Sequence, residues 1–582
     1  MTISPKPVNP AGSESFAWQK NATITSALFL FCLLVLFYNL GGPALFEPDE
    51  GRNAEKAREI LLTQDWVTPH ENFLPVLDKP IFFYWLIAFC YKLFGVSEWS
   101  ARLPSALAGF GIIVLTYVFV RKFLGPWEAL WSGLILVTNI EFFLLSRTVI
   151  FDMTLTFLIT LALCLFYWGL HTDDRTNRRI FLLLMYASMG VGTLVKGPIG
   201  FILPGMVIFS YLLLARKWDF LRDMQLLLGG ILFILVVAPW YGWVEIRNPG
   251  YLRYFFWEEN FVRFLTPHFH RSGAWYYFFI VLAVGFLPWT FLLPCVAKAH
   301  WKRAVGEIPL FLVLWTALPF LFFSFSDSKL PHYILPIYPP LAILVGQWLA
   351  SNLKSSLEGK SWPLWLPALN LFLVPAISIV GVYWPDPFPR HLLGPIREAF
   401  REAPGIPIFG ILLGITLLSL ASWRRLAIRQ GSLYLLCCLG FALFFFFVQP
   451  ILRPVSLSLS SKGLAEKSGA FIRPEDQVVI FDTYLSSLPF YFNIDRPIWY
   501  VWSGRKSSVM GSFYLAERQP QPAAEYGKAL LTFEEFYQQW ETSERRLFVF
   551  VKDKNLLRVA NHDQNFPNRI LQVDEMVLVA NR

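Results

Sequence analysis

Acids and an arginine crowd the stretch Glu47-Pro48-Asp49-Glu50-Gly51-Arg52-Asn53-Ala54-Glu55, directly after the first long apolar run. An ionised carboxylate at the edge of an apolar region is costly unless paired, and Arg52 is the obvious local partner. Asp49 and Glu50 could each act as a base or bind a hydroxyl or an amine; a solvated loop is the plain alternative. A second group is Asp78-Lys79-Pro80, where Pro80 reads as the first residue of a helix over 81–95. Lys79 beside a helix N-terminus suits an anion such as phosphate, or is a lysine snorkelling at an interface. Asp152 opens an otherwise apolar run, either as a reactive acid or as an N-cap. Lys196-Gly197-Pro198 reads as a tight structural hairpin, its lysine at a helix C-terminus. The segment 244–274 gathers Arg253, Tyr254, Trp257, Glu258, Glu259, Arg263, His268 and His270. Its arginines suit bidentate phosphate contact and its aromatics suit stacking on a ring. The two histidines match no strong zinc spacing. Lys329 and Tyr333, in Asp327–Pro336, complete the set of cationic and hydroxyl donors.

Those residues must be held by membrane helices. The chain has 582 residues, 55% of them hydrophobic, and apolar runs of bilayer length recur along most of it. Spans fall near 22–42, 102–120, 127–146, 152–170, 179–195, 198–214, 225–243, 275–296, 307–325, 333–351, 362–384, 404–422 and 432–450. The stretch 81–95 is short for a crossing and suits a helix lying in the interface. With it flat and the N-terminus inside, the basic groups Arg121-Lys122, Arg175 to Arg179, Arg216-Lys217, Lys298 to Arg303, Lys354 with Lys360 and Arg424 to Arg429 all fall on inner loops, as the positive-inside rule requires. The same choice brings the acidic loop 43–80, Asp152, Lys196, the 244–274 loop, Lys329 and the C-terminal part to the outer face. Acids and bases converging on one surface are what a catalytic site needs. The expectation is a polytopic α-helical membrane protein with about 13 crossings.

The net charge of +9 belongs to cytoplasmic loops, not to a nucleic-acid footprint. All six cysteines lie in apolar segments without metal-ligand or disulfide spacing. Residues 1–21 read as a disordered cytoplasmic tail and 22–452 as the membrane domain, with outer-loop helices in 43–100. From 453 to 582 the character changes: 477–481 and 547–551 read as strands, and Thr532 to Glu535 carries a capping-box pattern. A small α/β extracytoplasmic domain follows.

With these residues assembled, the chain resembles membrane glycosyltransferases of the GT-C type. It is most similar to the bacterial aminoarabinose lipid A transferases within the protein O-mannosyltransferase superfamily. The resemblance runs through most of 22–350. It is carried by Glu47 to Arg52, Asp78-Lys79-Pro80, Phe151-Asp152, Thr193 to Gly197, Tyr254 to Glu258 and Lys329 to Pro336. It implies transfer of a sugar from a polyprenyl-phosphate carrier, at the periplasmic side of a bacterial inner membrane, to lipid A or another outside acceptor. By the same resemblance Asp49 and Asp152 are the catalytic acids, with Glu50 beside them, and Lys79 meets the carrier phosphate. Arg52, Tyr84, Glu258, Arg263, Lys329 and Tyr333 are substrate-binding neighbours. A divalent metal ion stays open as a cofactor, because one bridges acid and phosphate elsewhere in this fold class. Gly51 departs from the isoleucine or threonine usual at its position. A transporter is the contrasting reading, but transporters place acids at the bilayer midplane within repeated helices.

Overall fold

The computed structural model describes residues 10–265, 273–301, 306–356, 438–440, 445–446, 453, 455–502, 529–559 and 568–581. Every span expected between 22 and 351 meets a helix or a bent helix pair. Among the described residues six helices are long and apolar enough to cross a bilayer. Two helix pairs meet the same test together and are bent, by 67° (Pro126–Val137 with Ile140–Ser146) and 113° (Tyr277–Gly285 with Thr290–Ala299). The spans expected at 362–384, 404–422 and most of 432–450 lie outside the described residues.

The first helix, α1 (Pro10–Phe37), starts well before its apolar part, so the tail expected to be disordered is helical from Pro10. Alanine, glutamate, glutamine and lysine are adequate helix formers, and extending an existing helix needs no new nucleus. There follow α2 (Asp49–Thr63), α3 (Phe82–Phe94), α4 (Glu98–Phe123), α5 (Pro126–Val137), α6 (Ile140–Ser146), α7 (Phe151–Leu170), α8 (Arg175–Lys196), α9 (Ile199–Leu214) and α10 (Leu226–Arg247). Helix α7 packs against α4, α8 and α9 in the middle of the bundle.

The helix ends sort into two poles. At one, His171 and Lys217 both pair with Glu307, Arg178 pairs with Asp223, and Arg121 reaches Thr25. At the other, about 39 Å away along the 26-residue α4, Arg102 binds the carbonyls of Leu40, Pro43 and Ala44. Arg247 there pairs with Asp65, and Lys196 with Asp152. Helix α3 has both its ends at this second pole. Its start follows Lys79, which binds Glu259; its end leads through the Ser97–Ser100 capping box into α4, whose Glu98 binds Lys462. Pro80 precedes the N-cap residue Ile81 and does not open the helix.

His70–Glu71 (β1) and Leu74–Pro75 (β2) pair between α2 and α3, and the C-terminal part forms one sheet, ordered β5-β4-β3-β6-β8-β7, from Leu530–Leu531 (β5), Trp499–Val501 (β4), Gln477–Phe481 (β3), Leu547–Lys552 (β6), Met576–Ala580 (β8) and Asn568–Val573 (β7). Strands β3, β4, β5 and β6 run parallel; β8 turns antiparallel to β6 and β7. Because β3 is buried on both faces, alternate residues feed two cores, Val478 and Ile480 one, Val479 and Phe481 the other. Leu74 and Val76, from the loop between α2 and α3, complete the first of these cores. The second pole and the sheet therefore share a hydrophobic interior. The helix Phe533–Thr542 begins with the expected capping box of Thr532 and Glu535.

Candidate active site

Helix α2 carries DEGRNAEKAREILLT, polar over most of its surface, yet most of it is buried. Ala54, Ala57 and Ile60 give it a narrow apolar stripe in the main core, and buried charges hold the rest. Glu50 is 1% exposed and receives both prongs of Arg102, at 2.9 and 2.7 Å. The backbone N–H groups of Val149 (2.8 Å) and Phe46 (3.0 Å) donate to the same carboxylate. With both oxygens doubly occupied, Glu50 has no face left for a substrate, so the expectation that it is catalytic gives way to a clasp between α2, α4 and the start of α7. Asp49, one residue earlier, has a side chain 60% exposed and pairs with Arg52 at 2.9 Å.

From Asp49 a string of ion pairs runs across the pole. Lys56, one turn after Arg52 on α2, bridges Asp78 (3.0 Å) and Glu71 (3.4 Å). Lys79 binds Glu259 at 2.6 Å and the Asp78 carbonyl at 2.8 Å. Arg263 pairs with the same Glu259 and lies in electrostatic contact with Tyr333. Lys196 stands 4.7 Å over the Tyr333 ring and binds Asp152 at 2.5 Å. His332 approaches the other oxygen of Asp152 at 3.6 Å. Asp152 is in the first turn of α7, whose N-cap is Ile150, so its carboxylate serves these partners in place of a capping role.

The charge states follow from this wiring. Burial works against ionising Asp78, but Lys56, with Lys79 and Arg52, outweighs it and holds the carboxyl well below the usual carboxylate range. Burial pushes Glu71 up, and Lys56 and Arg52 only partly offset it. Burial also opposes the charge on Arg263, yet Glu259, Tyr333 and Asp78 keep it cationic.

The structure thus brings Asp49, Arg52, Lys79, Arg263, Tyr333 and Asp152 to one surface. Tyr84 is buried beside Lys56, whose ammonium lies 5.7 Å from the ring centroid. The carboxylate between Lys79 and Arg263 belongs to Glu259, the neighbour of the Glu258 expected to bind substrate. The segment Tyr254–Val262 is π-helical, which shifts the face that a regular helix would present. The four-residue spacing of Glu259 and Arg263 was the available signal. Lys329 is buried and donates to the Ser326 carbonyl, with its side chain under Gly273. Residues read as structural or passed over, namely Lys56, Glu71, Lys196 and His332, belong to the string.

His268 and His270 lie outside the described residues. Among the described residues no three His, Cys, Asp or Glu side chains gather as metal ligands. The donors among the described residues do not make up a metal centre, and no step is routed through one.

Three comparisons bear on this arrangement. Residues 78–243 match the family model of dolichyl-phosphate-mannose-protein mannosyltransferases. An undecaprenyl phosphate-alpha-4-amino-4-deoxy-L-arabinose arabinosyl transferase of Pseudomonas paraeruginosa is 33% identical over 377 residues, 63% of this chain and 68% of the relative. A second transferase of that name, from Pseudomonas fluorescens, is 31% identical over 71% of this chain and 74% of its own. The crystal structure of ArnT from Cupriavidus metallidurans bound to undecaprenyl phosphate superposes with a TM-score of 0.79 at 27% identity, covering 96% of this chain and 98% of that one. The Archaeoglobus fulgidus oligosaccharyltransferase, at 10% identity and a TM-score of 0.51, shares the fold.

Proposed function

The chain belongs to the family of undecaprenyl phosphate-alpha-4-amino-4-deoxy-L-arabinose arabinosyl transferases, and from that premise we propose that it moves a sugar from a polyprenyl-phosphate donor onto an outside acceptor, with the lipid A phosphate as the favoured one. The observation that carries this reading is the pair Lys79 and Arg263, drawn together by Glu259 beside Tyr333. Two cations and a phenol are a seat for the carrier phosphate, and they lie on the same surface as Asp49 and Asp152.

In the reaction the bond between the anomeric carbon and the carrier phosphate breaks while the acceptor oxygen attacks. Negative charge grows on the leaving phosphate, where Lys79 and Arg263 stabilise it. A lipid phosphate acceptor is already anionic and needs no base, so Asp49 and Asp152 then orient the sugar. A hydroxyl acceptor on protein or polysaccharide would require one of them as general base. Lys196 and His332 hold the Asp152 carboxylate in place. Lys329 and Glu258 stay as substrate-binding candidates. The membrane orientation follows the charge: the pole with Arg121, Arg178 and Lys217 suits the cytoplasm, which faces the acids towards the periplasm of an inner membrane.

The test is transfer in membranes supplied with undecaprenyl-phosphate aminoarabinose and lipid A. Asp49→Asn and Asp152→Asn are each expected to lower the rate by about 10²-fold through lost positioning of the sugar. Wild-type rates in both variants would remove the acids from the mechanism. A cysteine at Asn177 should label only from the cytoplasm and one at Ser512 only from outside; the reverse pattern would invert the orientation.

A further inference from the structure

Two bent spans meet inside the helical bundle. Helix α5 gives way to α6 at Thr138 and Asn139, and the span from Tyr277 turns between Gly285 and Thr290. The 12 residues of α5 put the first bend about 18 Å from the pole that carries Arg121, within the roughly 30 Å of a bilayer's apolar layer. The Ile140 N–H donates to the Leu287 carbonyl at 3.1 Å, and Trp289 Nε1–H donates to Thr138 Oγ1 at 3.1 Å. The Asn139 side chain caps α6 by accepting from the Phe142 N–H at 3.0 Å. Backbone freed at membrane depth needs partners of this kind, and none of these bonds uses a charged group.

Glu141 stands at the same junction and takes no part in that repair. It is 8% exposed, in the first turn of α6. Its Oε2 accepts from Tyr338 Oη, and its Oε1 is sealed from solvent with no hydrogen-bond partner among the described residues. A Cβ on Gly285 would overlap both Glu141 Oε2 and Tyr338 Oη, so the helix Tyr277–Gly285 passes bare backbone over the pair. The Tyr338 ring is wholly buried and packs edge-on against Phe286, 5.6 Å between centroids. A carboxyl this deep in a membrane bundle points to function before filler.

The chain itself says what the pair holds. Tyr338 directly follows the 3-10 turn Pro331–Ile337 and opens the helix Tyr338–Ser356. That turn carries His332, which approaches Asp152, and Tyr333, which lies under Lys196 and in electrostatic contact with Arg263. Glu141 is within electrostatic reach of Asp152, and Tyr277 within reach of both Glu141 and Tyr333. The acid is therefore close beneath the surface of the site, yet its one hydrogen bond goes to the residue that ends the turn. We propose that Glu141 and Tyr338 are positioning residues, whose hydrogen bond anchors the Pro331–Ile337 turn and so aims Tyr333 at the carrier phosphate. The inference rests on the reading of Tyr333, with Lys79 and Arg263, as the phosphate seat. What Glu141 must supply is an acceptor for the Tyr338 hydroxyl, which glutamine also offers and leucine does not.

The experiment measures kcat/KM for undecaprenyl-phosphate aminoarabinose, at saturating lipid A, with the full-length protein in membranes. Tyr338→Phe, which removes one oxygen and leaves the packing, and Glu141→Leu should each lower it about tenfold, the worth of a buried hydrogen bond. Glu141→Gln should stay within about threefold of wild type. The deciding measurement is a double-mutant cycle. In a Tyr333→Phe background the hydroxyl being aimed is gone, so adding Tyr338→Phe should cost less than about twofold more. A merely structural bond would cost the full tenfold again, and that result would overturn the inference. So would an unimpaired Tyr338→Phe, or a Glu141→Gln as slow as Glu141→Leu. Should Glu141→Leu fail to fold, the cycle on the two tyrosines still decides. Wild-type kcat/KM in Tyr333→Phe alone would instead remove Tyr333 from the phosphate seat, and the inference with it.

Discussion

Arg102 on α4 grips Glu50 on α2 with two nitrogens of its guanidinium, and neither side chain is more than 2% exposed. The pair fixes Asp49, one residue away, at the rim of the surface where Lys79 and Asp152 also lie. Neighbouring acids thus separate into one that holds and one that stays open. Glu50→Ala leaves Arg102 buried without its counter-charge and should cost about 3–5 kcal/mol of stability. Asp49→Asn touches an exposed pair worth at most about 1 kcal/mol. Thermal unfolding in detergent should therefore drop sharply for the first and hardly move for the second, while sugar transfer fails in both. Equal melting temperatures would contradict the division of labour.

Gly51 reports how closely the sheet domain docks. A Cβ there would come within 2.6 Å of Ser487 Cβ and 2.8 Å of the Ser487 backbone nitrogen. That segment is itself pinned, because Glu47 accepts from the N–H groups of Ser486 and Ser487 at 2.9 and 2.8 Å, and from the hydroxyls of Ser487 and Ser461 at 2.6 and 2.7 Å. Backbone cannot swing aside as a flexible side chain would. Gly51→Ile should cost about 1–3 kcal/mol through overpacking and raise protease sensitivity around residues 455–502. An unchanged cleavage pattern would mean the domain tolerates a looser seat.

Asp78 sets a pH signature. Its folded value lies below the usual carboxylate range because Lys56, Lys79 and Arg52 outweigh burial. A depressed acid stabilises the fold above its unfolded value, about 4, and loses that contribution as the pH falls towards the folded value. Asp78→Asn should therefore be less stable than wild type at neutral pH, and the gap should narrow below about pH 4. A gap that stayed constant into acid would show that Asp78 is not held ionised by these cations.

Glu259 makes a prediction about ligand rescue. Lys79 and Arg263 share its buried carboxylate, so Glu259→Gln leaves two cations short of counter-charge. The variant should melt lower than wild type. Undecaprenyl phosphate, by supplying the missing charge, should raise its melting temperature more than it raises that of wild type. A smaller or equal rise would argue against a phosphate between these two side chains.

Much of this was legible along the chain. Bilayer-length apolar runs from 22 to 351 place helices because an unpaired backbone in lipid has no alternative. Short β-branched and aromatic runs at 477–481 and 547–551 mark strands, and Thr532 with Glu535 marks a helix start. Lys79, Arg263, Tyr333, Asp49 and Asp152 stood out because charge or a hydroxyl at an apolar boundary needs a reason.

Partner choice was not legible. A solvated loop was the plain alternative for the start of α2; only the fold shows that Glu50, Lys56, Arg58 and Glu59 are buried and matched by Arg102, Glu71, Glu55 and the backbone of Asn72 and Phe73. Glu258 and Glu259 look alike in a row of letters, and a π-helical turn decides between them. Residue type and hydropathy are local, so the sequence by itself determined where helices and charges must occur. Which charge meets which depends on segments far apart in the chain arriving at one pole, and that only the tertiary structure decided.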